Sequence, residues 1–206
     1  MRNHYIFFLR ILFAGLCLSS LLFINACRSS KSLDNQNSSF EAFSKQFPQL
    51  ILPYNYTDDS LLTSPPDSLK IINPRQFKFL PDSILYPKGD TSVAVYALGQ
   101  GASEEGQNQW YFLKTERSGA KEVYALIYNN KDSLIEIKKV AGQTTAKNKT
   151  IRTFKWTKTH LLTVHEKTAL GNGYVYRKKE VYTLDETNHL QLILTNNERP
   201  SEEEQL

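Results

Sequence analysis

Thiols are almost absent from this chain. Its two cysteines, Cys17 and Cys27, both lie in the first 27 residues. Everything downstream therefore lacks a disulfide, a redox couple and a thiolate metal site. Stability there must come from core packing. The apolar run ILFAGLCLSSLLFI, residues 11–24, has only 14 residues, where a bilayer span needs about 20. Glycine is scarce, at 9 residues, and no stretch after residue 91 carries a 3.6-residue apolar period, which excludes a helical domain. Acid is missing from one long stretch: residues 138–179 hold Glu166 alone.

Aromatics, in contrast, are plentiful, with 11 Tyr and 11 Phe. This is not a disordered composition. The overall charge of +4 is ordinary.

The N-terminus has the layout of an address signal. Residues 1–10 carry Arg2 and Arg10 and no acid, then comes the short apolar run, then Ile24-Asn25-Ala26-Cys27. A run of this length matches the apolar region of a cleaved signal. Ile24-Asn25-Ala26-Cys27 resembles the lipobox of bacterial lipoproteins: an aliphatic residue, a variable one, a small one, then cysteine. The resemblance covers residues 1–27. It implies that residues 1–26 are removed and that Cys27 becomes the first residue, with lipid on its sulfur and its amine. Each buried methylene contributes about 0.8 kcal/mol, so two or three acyl chains anchor stably where one would not. It also implies a place in the envelope of a Gram-negative bacterium. There, Arg28 rather than Asp directs the protein to the outer membrane, facing the periplasm.

Residues 27–39 read as a lipidated flexible tether, residues 40–198 as a single β-rich domain and residues 199–206 as an acidic tail. Ser38 followed by Glu41 fits a capping box, and Phe40, Phe43 and Phe47 recur at helical spacing until Pro48, so a short helix is expected over about 39–46. Asn73-Pro74 is a second helix start, with Phe77 and Leu80 on its buried face. Residues 57–68, TDDSLLTSPPDS, read as loop. From residue 91 apolar and polar residues alternate between turn signals. Strands are expected near 92–98, 109–116, 122–129, 133–140, 150–157, 159–168, 174–184 and 189–195. The short connections predict antiparallel neighbours. The fold class is thus mainly β: an antiparallel meander of about eight strands, as a barrel or a two-layer sandwich, preceded by one or two short helices. Lys121-Glu122-Val123-Tyr124 returns 58 residues on as Lys179-Glu180-Val181-Tyr182, a weak internal echo.

Catalytic chemistry finds little support. His160 and His165 are five apart and point to opposite faces if both lie on one strand. Gly101-Ala102-Ser103-Glu104-Glu105 lacks the last glycine of a nucleophile elbow, and Gly99-x-Gly101 lacks the third glycine of a dinucleotide loop; both read as the loop 99–108. Asp58-Asp59 is turn chemistry rather than a cation loop. Trp110 and Trp156 read as core rather than sugar platforms. No catalytic residue, metal ligand or cofactor is assigned, and the protein reads as a non-enzyme.

Two candidate sites remain. Asp-Ser-aliphatic recurs at Asp59-Ser60-Leu61, Asp67-Ser68-Leu69, Asp82-Ser83-Ile84 and Asp132-Ser133-Leu134. The pattern resembles a short acceptor for protein O-glycosylation in some Gram-negative envelopes, which makes Ser60, Ser68 and Ser83 the candidates and Ser133 the weakest. The same tripeptide also suits a turn followed by a buried aliphatic. The second site is the basic band. Residues 138–179 hold 11 Lys and Arg against one acid, which creates a positive field if the side chains share a face. Arg152, Lys155, Arg177, Lys178 and Lys179 are the candidate anion-binding residues, although Arg152 and Lys155 fall on opposite faces of a strand. Anionic lipid or acidic glycan fits the compartment, and nucleic acid does not. The expected function is a membrane-anchored envelope module that binds or scaffolds, the alternative being a protein-recruiting subunit or assembly factor of an envelope complex.

Overall fold

The computed structural model describes residues 39–71, 74, 78–85, 93–103, 106–117, 120–144, 149–170 and 175–198. The expected signal, Cys27, the expected tether up to residue 38, the acidic tail and most of the helix expected from Asn73-Pro74 lie outside the described residues.

The elements run α1 (Phe40–Ser44), β1 (Tyr54–Tyr56), α2 (Asp58–Leu62), a 3-10 turn (Asp67–Leu69) and α3 (Asp82–Leu85). Eight long strands follow: β2 (Ala94–Ala102), β3 (Asn108–Arg117), β4 (Ala120–Asn129), β5 (Leu134–Thr144), β6 (Thr150–Trp156), β7 (Leu162–Ala169), β8 (Val175–Leu184) and β9 (Leu190–Glu198). They form one antiparallel sheet in chain order, with β1 added against β6. The meander was expected; the barrel was not realised, because β2 and β9 end the sheet without pairing to each other.

The sheet curls instead. β5 and β6 share only the pairs Gly142↔Arg152, Gln143↔Ile151 and Thr144↔Thr150. Beyond that point β6 takes β1 as its neighbour, with Tyr54 opposite Trp156. The halves on either side of this seam face each other across aromatic rings. Phe112 of β3 stacks on Phe154 of β6 at 4.9 Å, and Trp110 on Trp156 at 5.3 Å. Both tryptophans are fully buried, which gives them the core role. Gly101 makes room: a Cβ there would sit 2.7 Å from the Trp156 ring.

The other face of β2–β4 is covered by the N-terminal segments. Phe43, Phe47, Ile71, Leu80, Ile84 and Leu85 pack on Tyr111, Leu113, Leu126 and Tyr128. The same segments seal the β2 edge. Leu50 N–H donates to Gln100 O at 2.9 Å, Gln100 N–H to Pro48 O at 2.8 Å and Ile71 N–H to Val95 O at 2.8 Å. At Gly99 any Cβ would collide with Leu50 at 2.2 Å.

Four expectations need correction. Residues 57–68 hold α2, because Thr57 caps it by accepting the Ser60 N–H, acids fill its first turn and Leu61 is fully buried. The loop expected over 99–108 is shorter, since β2 continues to Ala102. β7 begins at Leu162 rather than 159, because His160 N–H closes a turn onto Thr157 O. The 58-residue echo is not a structural repeat. Val123 lies in the core between the halves while Tyr124 packs on the opposite face; in the second copy it is Tyr182 that enters that core.

Candidate functional site

The register of β6, β7 and β8 sorts the basic band into two faces. The pairs Lys155↔Thr163, His165↔Lys179 and Lys167↔Arg177 put Lys155, His165, Lys167, Arg177 and Lys179 on the outer side. The pairs Arg152↔Glu166 and Glu166↔Lys178 put Arg152 and Lys178 on the inner side, in line with the buried Phe154 and Trp156.

The inner cations are neutralised. Arg152 Nε donates to Glu166 Oε2 at 3.0 Å, and Lys178 Nζ lies 2.6 Å from Glu180 Oε1. Lys178 is held above the usual lysine range, chiefly by that hydrogen bond. Of the five residues expected to bind anions, the fold thus gathers Lys155, Arg177 and Lys179, and turns Arg152 and Lys178 away.

The outer face gains two members that sequence reasoning did not assign, Lys167 and His165. Their parity was the available signal. Once strands 6, 7 and 8 are aligned, 155, 165, 167, 177 and 179 fall on one side. Lys167 Nζ lies 3.6 Å from Asp58 Oδ2 of α2, and Glu198 of β9 stands opposite Arg177. Lys155 and Lys179 have no ion-pair partner among the described residues. Two depressions meet at His165. One, of about 430 Å³, lies between β1–α2 and Lys155 and Lys167. The other, of about 260 Å³, lies among Lys167, Arg177, Lys179 and Glu198, with Glu166 and Lys178 also along its lining.

Burial lowers the His165 pKa first, and the charges of Lys179, Lys167 and Lys155 lower it further against the opposing pull of Glu198. Like charges crowd this imidazole, so an anion seated among them would relieve the repulsion and restore its basicity.

The candidate acceptor serines Ser60, Ser68, Ser83 and Ser133 are all exposed. Three of the four tripeptides fall in one-turn helices: Asp58–Leu62, Asp67–Leu69 and Asp82–Leu85. In two of them the aliphatic is driven into the core, Leu61 at 0 % and Ile84 at 2 % exposure. Asp at the start, an outward Ser and an inward aliphatic are what a docked single turn needs, so the recurrence has a packing cause.

Other charged clusters have structural partners. Lys114 is fully buried on the inner side of β3, and its Nζ donates to Leu61 O at 3.0 Å and Thr63 O at 2.6 Å, with Glu116 Oε1 at 2.9 Å. It closes the last turn of α2. Glu122 gathers Arg117, Lys139 and the Tyr124 hydroxyl. Among the described residues no group of three or more His, Cys, Asp or Glu is placed to hold a metal ion, and no helix is long and apolar enough to cross a membrane.

No protein family, curated protein or solved structure matches this chain.

Proposed function

We propose that the protein is a lipid-anchored module of a Gram-negative cell envelope, held to the outer membrane through Cys27, that works by binding. Its outer β6–β8 face docks onto anionic groups such as phosphorylated lipid headgroups or acidic glycans. The observation that carries this reading is the convergence of Lys155, Lys167, Arg177 and Lys179 around His165 on one exposed face. Rim acids Asp58, Asp59 and Glu198 temper the field, which favours short-range capture of a surface already brought close by the anchor.

Two measurements test the two parts. Fatty-acid labelling should mark the wild type and leave Cys27→Ala unmarked and unprocessed. An unlabelled wild type removes the anchor. Residues 28–206 should then bind anionic vesicles and spare neutral ones, with binding falling steeply as salt rises. Equal binding to both vesicle types removes the anionic partner.

A second reading, recruitment of a protein partner, is favoured by β9. Leu192, Ile193 and Leu194 are 47 %, 51 % and 48 % exposed on that edge strand. Detergent-extracted protein migrating with a stable partner, lost on Ile193→Asn, supports it.

A further inference from the structure

The meander brings the β2–β3, β4–β5, β6–β7 and β8–β9 connections to one end of the sheet. Three of them enclose a pocket of about 360 Å³, within the size range of small-ligand sites. Ser103 comes from the first connection with Asn108 at the start of β3, His160 from the second, and Asp185, Glu186 and Asn188 from the third with Thr183 at the end of β8. His189 Nδ1 lies 3.0 Å from Glu136 Oε2 and ties the third turn to β5.

This pocket stands on unmet polar atoms. Asn108 is 2 % exposed, and its Nδ2 donates to Asn188 Oδ1 at 2.6 Å. Its Oδ1 has no partner among the described residues, and neither has His160 Nδ1. The His160 ring lies 5.7 Å from Trp156, which stacks on Trp110, and both indole nitrogens are likewise without a partner among the described residues. Buried polar atoms left unpaired are uncommon in folded proteins, and a cluster at one rim calls for an account. The turns that carry the side chains are well defined. His160 has φ 55 and Asn188 φ 66, conformations that His and Asn tolerate better than most residues, and Asn188 N–H donates to Asp185 O at 2.9 Å.

The chemistry of the wall selects the ligand. No Lys or Arg is among its described lining residues. The Asp185 carboxylate is already engaged, with Oδ1 accepting from Thr187 N–H, the Thr187 hydroxyl and His189 N–H. What remains is amide, hydroxyl and imidazole, with the exposed Glu186 carboxylate at the rim as a further acceptor. An anion would ask for a cation, which the described wall does not offer. Hydroxyl groups, each both donor and acceptor, fit the set.

We propose that this end of the sheet binds a neutral polyhydroxylated ligand about the size of one sugar ring, through Asn108, His160, Thr183 and Asn188. The site is separate from the basic outer face and has no Lys or Arg among its described lining residues. Its reporter is built in, because the chain has two tryptophans, and both lie in the stack beside His160. Detergent-solubilised full chain is titrated with glucose, galactose and N-acetylglucosamine, with putrescine and inorganic phosphate alongside, while tryptophan fluorescence is followed. At least one sugar should give a saturable change, half-complete in about the millimolar range. Asn188→Gly keeps the backbone geometry and Thr183→Val keeps the shape. Each should weaken that response about tenfold, the loss of one hydrogen bond; Thr183→Val should do so at an unchanged unfolding midpoint, whereas Asn188→Gly also unpairs Asn108 Nδ2 and lowers the midpoint. Charge reversal at Lys155 and Lys179 should leave it intact. No saturable response to any of the three sugars, a response to putrescine or phosphate alone, or a sugar response indifferent to both pocket variants overturns the proposal.

Discussion

β3 and β9 have nearly the same length and opposite surroundings. In β3 every residue from Trp110 to Thr115 is buried, so both of its faces are covered. In β9 every residue after Leu190 is exposed. The difference extends to the halves they belong to. β2–β4 lie between the core inside the curl and the N-terminal helices, whereas β6–β9 pack on one side only. Strands covered on both faces read as continuous apolar runs, and strands covered on one face alternate. YFL in β3 against VYRKKEVY in β8 shows this contrast directly. Stability is concentrated in the first half, and the second is left free to present charge.

The doubly covered β3 carries one buried charge, Lys114. Lys114 looks like an error in a buried strand, yet its ammonium is met by the carbonyls of Ser60, Leu61 and Thr63 and by Glu116. Burial lowers its pKa while Glu116 opposes the shift. Lys114→Met leaves those acceptors unpaired in the core. It should cost about 3–5 kcal/mol, as removal of one partner from a buried ion pair does, read from the denaturant midpoint. A cost near zero would mean that the double covering of β3 does not hold the fold. Next in size is Thr57→Ala, which deletes the cap of α2 and should cost about 1 kcal/mol. Smallest is Leu192→Thr with Ile193→Thr on β9, expected within about 0.5 kcal/mol of wild type per site because both side chains are already half exposed. A large loss there would show that β9 is covered in solution.

The same contrast explains what was legible. The eight long strands stood out because alternation and turn residues are local signals, and their bounds fell within a few residues, apart from the shorter loop after β2 and the late start of β7. β1 was missed because three residues after Pro53 carry no period, and only β6, a hundred residues on, makes them a strand. α2 was missed because Pro65 and Pro66 marked the whole stretch as loop and hid the Thr57 cap. The choice between barrel and open curl was illegible, since it depends on whether β2 meets β9, which no local pattern encodes. At the basic face, Lys155, Arg177 and Lys179 were found by charge count. Lys167 and His165 needed the register, and the inward turn of Arg152 and Lys178 needed it too.

Protonation refines the account of that face. His165 is held below the usual histidine range by burial and by its lysine neighbours. The unfolded chain takes up this proton more readily, so lowering pH through the ordinary histidine range costs stability. A bound anion reverses the cost, because it faces a fifth positive charge. Vesicle binding should therefore strengthen as pH falls through that range, and His165→Asn should flatten the profile.

The most direct measurement sets the two faces against each other. Residues 28–206 are sedimented with anionic vesicles at low salt, as wild type, as Lys155→Gln with Lys179→Gln, and as Arg152→Gln with Lys178→Gln. Each surface lysine contributes about a factor of five to association with an anionic membrane, so the outer pair should weaken binding roughly thirtyfold. The inner pair, matched in charge and already neutralised by Glu166 and Glu180, should leave affinity within about twofold, the spread expected of a neutralised pair. Equal losses from the two pairs would show that net charge alone governs the interaction, and would contradict the division of the sheet into a binding face and a structural one.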